Sequence, residues 1–483
     1  MKMTPLERKW VWYDVGNSAF TLLVSTLLPI FFNTIAESGG ASDSDYVVYW
    51  SYATSIATVV VAVLGPIFGS LSDLRGMRRK IFSVAVLVGA LGCVALGFMQ
   101  HWIWFLVLFV FAKSAYQLSL VVYDSMLCDV TTRERMDEVS SRGYAWGYIG
   151  SCIPFVLTIA VYVMYYMFEL ISLQVCMIIV FLIVAVWWVA CTLPLWRGYE
   201  QRQFVEPAGH PVRVGLRSLG HTFKEIARDK RIWLFLLAFF FFIDGVYTII
   251  DLATTYGTSL GLDTVSLVIA LLVTQVVAFP AAILLGMLSR RVKPQYLIIA
   301  CIVAYFFITV YAIFLDQEYE FWILAVCVGL FQGTIQAMSR SYFAKIIPGE
   351  KASEYFGIYD IFGKGASFMG TFLVGTVTAL CAPYFDSLAE QGIHTAFTAQ
   401  SIGVAALAVM FVIGLVLFIL AIRCKAPAAG EGGSGSLAAE GAAPAVEAGA
   451  PAAEGAAPAQ ESAAQAPAQD GEAPAAEVAE KTE

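Results

Sequence analysis

The sequence predicts an all-α integral membrane protein with twelve transmembrane helices in two pseudo-symmetric bundles of six. Three observations carry that reading. Hydrophobic residues make up 59% of the 483 and charged residues only 14%, whereas soluble domains are about 25% charged. Apolar stretches of about 18 residues or more recur along the chain, each long enough to cross a bilayer as a helix. Nearly every Lys and Arg falls in alternate connecting loops, as the positive-inside rule requires of a chain that crosses repeatedly.

The first span, 10–36, follows the basic "MKMTPLERK". It contains Asp14 and Asn17, is too long for a signal peptide and lacks a small-residue cleavage site, so it reads as a retained helix. Spans at 46–71, 81–99, 102–127, 142–167 and 171–195 complete the first half. The second half comprises 232–258, 265–288, 295–315, 320–344, 355–382 and 396–422, with Gly and polar residues interrupting the last three. Trp10, Trp102, Trp196, Trp233 and Trp322 fall near span ends, as an interfacial belt does. With the N-terminus inside, the cytoplasmic loops hold Arg75, Arg78, Arg79 and Lys80 after the second span and Arg290, Arg291 and Lys293 after the eighth. The opposite loops hold acids such as Glu37, Glu169, Asp263, Glu320 and Glu390, and no Lys or Arg. Both termini are therefore expected in the cytoplasm of a multi-pass inner-membrane protein.

Four segments follow: an N-terminal bundle (1–195), a basic cytoplasmic linker (196–231), a C-terminal bundle (232–425) and a tail (426–483). Within the linker, "SLGHTFKEIARDKR" has the pattern of an amphipathic helix on the membrane surface. The tail is built from Ala, Pro, Glu and Gly, with "EGAAPA" twice. It carries ten acids and one Lys, and it has too few large apolar residues to offset its ordering entropy, so disorder is expected. The net charge of −8 thus belongs to the tail; the rest of the chain is near neutral.

Several chemistries are excluded. The nine cysteines are scattered without a CxxC pair, which argues against a disulfide framework or a structural zinc site. No basic and aromatic pattern points to nucleic acid. "GIYDIFGKGAS" (357–367) imitates a phosphate loop, but its spacing is one residue too long and Gly365 stands where Ser or Thr should follow the Lys. No nucleotide, metal or other cofactor is expected, and no nucleophile, base and oxyanion set suggests an enzyme.

"GSLSDLRGMRRK" (69–80) resembles the cytoplasmic loop motif of the major facilitator superfamily, through Gly69, Asp73, Gly76 and Arg78. Leu74 and Met77 replace residues that are usually basic. The equivalent loop of the second half, "GMLSRRVKP" (286–294), keeps Gly286 but has Arg290 at the acidic position. The resemblance implies a gate whose salt bridge one conformation makes and another breaks. "WYDVGNSAF" (12–20), "ERMDEVSSRGYAWGYIG" (134–150), "FIDGVYTIID" (242–251), "TQVVAFPAAILLG" (274–286) and "QAMSRSYFAKIIP" (336–348) are similar to the vacuolar-effluxer family within that superfamily. This likeness runs from about residue 10 to 372 and excludes the tail. It implies a secondary transporter, and its fungal branch is linked to release of amino acids from the vacuole.

Polar residues inside the spans mark the candidate site. A mid-membrane carboxylate costs roughly 2.5–3.5 kcal/mol on insertion scales. Asp244 and Asp251 lie seven residues apart, on one helical face with Thr248 between them. Either they line a transport cavity, binding an ammonium group or taking up protons, or they pair with basic residues to hold helices together. Lys113 is halfway through the fourth span, with Gln117 one turn on and Asp124 on the same face. Having no partner at i±3 or i±4, Lys113 needs one from another helix or a ligand. Gln332, Gln336 and Arg340 form a stripe at four-residue spacing, and Asp360 and Lys364 form an i,i+4 pair. Asp14 is a gate residue or an interfacial charge, with Asn17 one turn deeper. Gly143 and Gly147 permit close helix approach.

The expected function is alternating-access transport of a small polar, amino-acid-like solute, in the efflux direction and coupled to protons, by a monomer surrounded by lipid. A lipid or lysolipid translocator, a non-transporting nutrient sensor and a channel are the alternatives. Lys113→Met and Asp244→Asn are each expected to abolish transport in a protein that still inserts, measured as flux in proteoliposomes; normal flux in both would remove them from the cavity.

Overall fold

A computed structural model describes residues 2–40, 43–206, 211–259, 264–315, 317–364, 367–391 and 397–424. The tail expected from 426 onward lies outside the described residues. The first span is broken at Thr26 into α1 (Pro5–Ser25) and α2 (Leu27–Ser38). There follow α3 (Asp43–Ser72), α4 (Arg78–Leu96), α5 (Trp102–Ser125) with its short extension α6 (Leu127–Val130), α7 (Met136–Tyr166) and α8 (Leu173–Gly198). The linker contains α9 (Pro211–Arg228). The second half is α10 (Lys230–Ser259), α11 (Thr264–Leu288), α12 (Pro294–Ile313), α13 (Glu318–Ile346), α14 (Ala352–Lys364), α15 (Ser367–Glu390) and α16 (Ala399–Arg423). Among the described residues eleven helices are long and apolar enough to cross a membrane, and the apolar stretch Met369–Phe385 of α15 is a shorter twelfth.

Local chemistry explains where the observed ends differ from the expected ones. The first helix starts at Pro5 rather than 10 because Thr4 caps it: the Glu7 amide donates to Thr4 Oγ1 and the Thr4 amide donates to the Glu7 carboxylate. Helix α7 starts at Met136 rather than 142, since Asp137 and Glu138 suit the positive end of a helix dipole. Both acids are buried, having found partners in the other half. The linker helix begins earlier than expected. It packs on α3, α10 and α14, with Thr222 and Ile226 buried one turn apart.

Aromatic residues fill both halves. Trp10 stacks on Tyr123 at 4.5 Å between centroids, and Phe239 on Tyr359 at 4.2 Å. In "FFFF" (239–242), Phe239 and Phe242 are buried and Phe240 and Phe241 half-buried, as a helix with one inward face requires.

The halves meet where α3 crosses α14 and where α7 packs on α11 and α13. The first crossing brings backbone against backbone. A Cβ on Gly357 would stand 2.8 Å from the Pro66 Cα, and one on Gly69 would fall on the Ser353 carbonyl. Within the first half, Gly147 and Gly150 let α7 ride on α1, since Cβ atoms there would meet Ser18 Oγ at 2.7 Å and Val15 Cγ1 at 2.5 Å.

Gly69→Val is expected to oppose this crossing by about 1–3 kcal/mol of overpacking. The check is cross-linking of cysteines placed at Ser125 and Ser353, whose hydroxyls are 2.6 Å apart. Its rate should fall about fivefold or more.

Candidate functional site

The inter-half ion pairs of Arg340, Arg290 and Lys345 lie at the end of the bundle that carries the amino terminus. Arg340 of α13 is the innermost. Its Nη1 donates to Asp124 Oδ1 at 2.9 Å, its Nη2 to Asp14 Oδ2 at 3.3 Å, and its Nε to Ser140 Oγ at 2.9 Å. The guanidinium lies 4.7 Å from the Trp10 ring and 4.4 Å from the Tyr144 ring, close enough for cation–π attraction. Trp10 and Tyr123 are held by reciprocal bonds: Trp10 Nε1 donates to the Tyr123 carbonyl at 3.1 Å and the Tyr123 hydroxyl to the Trp10 carbonyl at 3.2 Å. A cation from the second half thus fills a box built by the first.

Nearer the surface, Asp73 accepts from the Ser353 and Glu354 amides at 2.9 Å each, capping α14. Arg78, fully buried, pairs with Asp73 and with Asp129, the latter at 2.6 Å. Burial pushes the Asp73 carboxyl above its ordinary range, while the Arg78 guanidinium and the two amides pull the other way. Gly76 makes the turn between them with φ +72°. Linker residues close over this turn: Val205 N donates to the Asp73 carbonyl at 2.8 Å, Gln203 N to Asp129 Oδ1 at 2.9 Å, and the Tyr199 hydroxyl to Asp129. In the second half Arg290 replaces the motif's acid, and its partner changes accordingly: it reaches Glu138 of α7 at 2.5 Å. Lys345 pairs with Asp137, which also accepts from Ser341 Oγ at 2.7 Å.

Above this closed end lies a cavity of about 380 Å³. Thr21, Ser25 and Asp251 are its exposed wall residues. Of the sequence candidates, Asp14, Asn17, Lys113, Gln117, Asp124, Asp251, Gln336, Arg340 and Asp360 line it. Lys113 is within electrostatic reach of Asp251, so its counterpart comes from the other half of the chain. The Lys113 ammonium also lies 5.5 Å from the Phe109 ring.

Two candidates are placed elsewhere. Asp244 is fully buried off the cavity, against Thr248 and Gly370, and its Oδ2 accepts no hydrogen bond among the described residues. The cavity follows the stripe Phe239, Ile243, Tyr247, Asp251, which turns about 40° per four-residue step, so a residue seven positions away can share Asp251's face and still miss the cavity wall. The same drift takes Gln332 out of line with Gln336 and Arg340. It lines a second, small apolar pocket of about 80 Å³ between α10, α11, α12, α13 and α16. The expected Asp360–Lys364 pair cannot be followed, because the Lys364 side chain lies outside the described residues.

Sequence reasoning missed Asp129, Asp137, Glu138, Tyr199 and Lys345, which read as ordinary loop and helix-end charges. It also missed the cavity tyrosines Tyr116, Tyr148 and Tyr247, and Gln275, which lines both spaces. Among the described residues no group of His, Cys, Asp or Glu could hold a metal ion.

A helical membrane bundle whose halves close one end around a polar cavity has the architecture of a major facilitator (MFS) transporter. Solved structures agree in fold: the human organic anion transporter MFSD10 has a TM-score of 0.64 at 12% identity, covering 86% of this chain and 98% of that one. The MFS transporter FucP in its outward conformation has a TM-score of 0.62 at 11% identity, covering 86% and 97%. The MFS-type transporter YxiO of Bacillus subtilis is 38% identical over 420 residues, 86% of this chain and 94% of the relative. Autophagy-related protein 22 of Eremothecium gossypii is 26% identical over 441 residues, 76% and 84% respectively. The chain belongs to the family described as vacuole effluxer Atg22 like, whose model matches residues 6–135 and 128–382.

Arg340→Gln should be destabilising by roughly 3–5 kcal/mol, because it strands buried carboxylates. Adding Asp124→Asn should recover part of the loss, and thermal melts of the four proteins of the cycle in detergent check it.

Proposed function

We propose that this MFS transporter is a secondary active exporter of a small polar, amino-acid-like solute, working by alternating access and coupled to protons. The observation that carries the reading is that Lys113 of one half and Asp251 of the other line the same cavity within electrostatic reach of each other. A zwitterion inserted there meets an ammonium with its carboxylate and a carboxylate with its own ammonium. Any rocking of the halves changes the separation of these charges, which ties occupancy to conformation.

The loop charges support an orientation with the closed, basic end in the cytoplasm, both termini inside, and the cavity facing outward across the cytoplasmic membrane. Asp244 and Asp251 are the proposed proton carriers, because protonation removes a charge that is costly at mid-membrane. A tenfold proton gradient supplies about 1.4 kcal/mol per proton. A potential of 100 mV adds about 2.3 kcal/mol per charge. Together they support a several-hundred-fold solute gradient without ATP. The apolar lining of the second pocket favours a second reading, translocation of a lysolipid, whose chain would contact it.

The test is a pH dye trapped in proteoliposomes, with pools of amino acids, peptides, organic acids and lysolipids added outside. A polar pool should change internal pH with wild type and not with Asp244→Asn. No pH change with any polar pool, alongside lysolipid movement, would replace this reading with the second.

A further inference from the structure

The cavity is not neutral. Among its described wall residues, Asp14, Asp124, Asp251 and Asp360 face Lys113 and Arg340, four carboxylates against two cations. Counting Lys364, one turn beyond Asp360, still leaves the carboxylates in excess. The positive charges are also engaged: Arg340 donates to Asp14, Asp124 and Ser140, and Lys113 is within electrostatic reach of Asp251. An entering anion must displace a carboxylate from one of them. An entering cation meets carboxylates, each with about four acceptor sites.

Two further features favour a cation. Gln117 is 7% exposed, and its Oε1 on the cavity wall accepts no hydrogen bond among the described residues. A buried acceptor is satisfied by an N–H donor, and an ammonium carries three donors and no acceptor. Tyrosine rings stand among the carboxylates. Tyr247 of α10 is within electrostatic reach of Asp124, Asp251 and Asp360, and Tyr116 of α5 within reach of Asp14, Asp124 and Asp360. Ring faces attract cations, and these two come from opposite halves.

Resting on the transporter reading above, we infer that the solute carries more positive than negative charge: a basic amino acid or an alkyl diamine rather than a neutral zwitterion or an anion. Asp360 and Gln117 receive the distal ammonium, while Lys113 and Asp251 face the α-carboxylate and α-ammonium when these are present.

The experiment is initial flux in proteoliposomes of the full chain, with lysine, 1,4-diaminobutane, leucine and glutamate at equal concentration. Lysine and diaminobutane should move about tenfold faster than leucine and glutamate. Asp360→Asn should lower the lysine-to-leucine ratio about fivefold or more. Gln117→Leu, which leaves every charge in place, should raise the KM for lysine severalfold and guards against misfolding of the charge variant. Faster movement of leucine or glutamate than of lysine overturns the charge inference and leaves the transporter reading standing. An unchanged lysine KM and ratio in both variants also overturns it. No flux of any of the four by protein that melts cooperatively overturns it too, and the transporter reading is then decided by the wider pools.

Discussion

Arg340 reaches from α13 into a pocket built entirely by the other half of the chain, and the closed end is organised around that reach. A guanidinium below mid-membrane needs compensating charge and hydrogen bonds on every side. Asp14, Asp124, Ser140 and the rings of Trp10 and Tyr144 provide them only when the halves are together. The reverse also holds: Asp14 and Asp124 have this cation only when α13 is docked. Opening this end therefore requires a replacement on both sides, water for the arginine and protons, water or a bound cation for the acids.

The outer contacts follow the same division. Asp73 caps a helix of the opposite half, Lys345 pairs across to Asp137, and Arg290 pairs across to Glu138. Each cross-half pair takes one partner from each side. Glycines bring these groups into range, because only without side chains at 69 and 357 do α3 and α14 approach backbone to backbone. The linker adds a strap over the first loop through Gln203 and Val205. A chain segment that joins the halves is thereby also bonded to their closed end.

The helices were legible in the sequence because membrane spans are written by composition and length, and these act locally. Helix ends were less legible: "TTRERMDEVS" reads as a charged loop, and only the other half reveals that Asp137 and Glu138 are buried partners. The candidate site divided along the same line. Residues such as Lys113, Gln117 and Arg340 announced themselves by being polar in apolar runs. Asp244 did too, but the face a helix turns toward a cavity depends on its crossing angle with neighbours, which periodicity alone does not contain. The tyrosines were invisible because a Tyr in an apolar span is ordinary packing until its neighbours are known.

The two ends of the bundle cannot close by the same means. The basic end has acids and bases on both halves, so it is sealed by ion pairs. The loops of the other end carry Glu37, Glu169 and Glu320 and no Lys or Arg at all. Bringing acidic loops together yields repulsion rather than pairing, so closure there must draw on apolar contact and on whatever lies in the cavity. Asp251 of one half lies within electrostatic reach of Lys113 of the other, and both line that space. A solute that bridges them supplies the attraction that the loops lack. An empty cavity offers less, and under the coupling proposed above a transporter that closes its open end only when loaded with solute or protons would not dissipate the gradient.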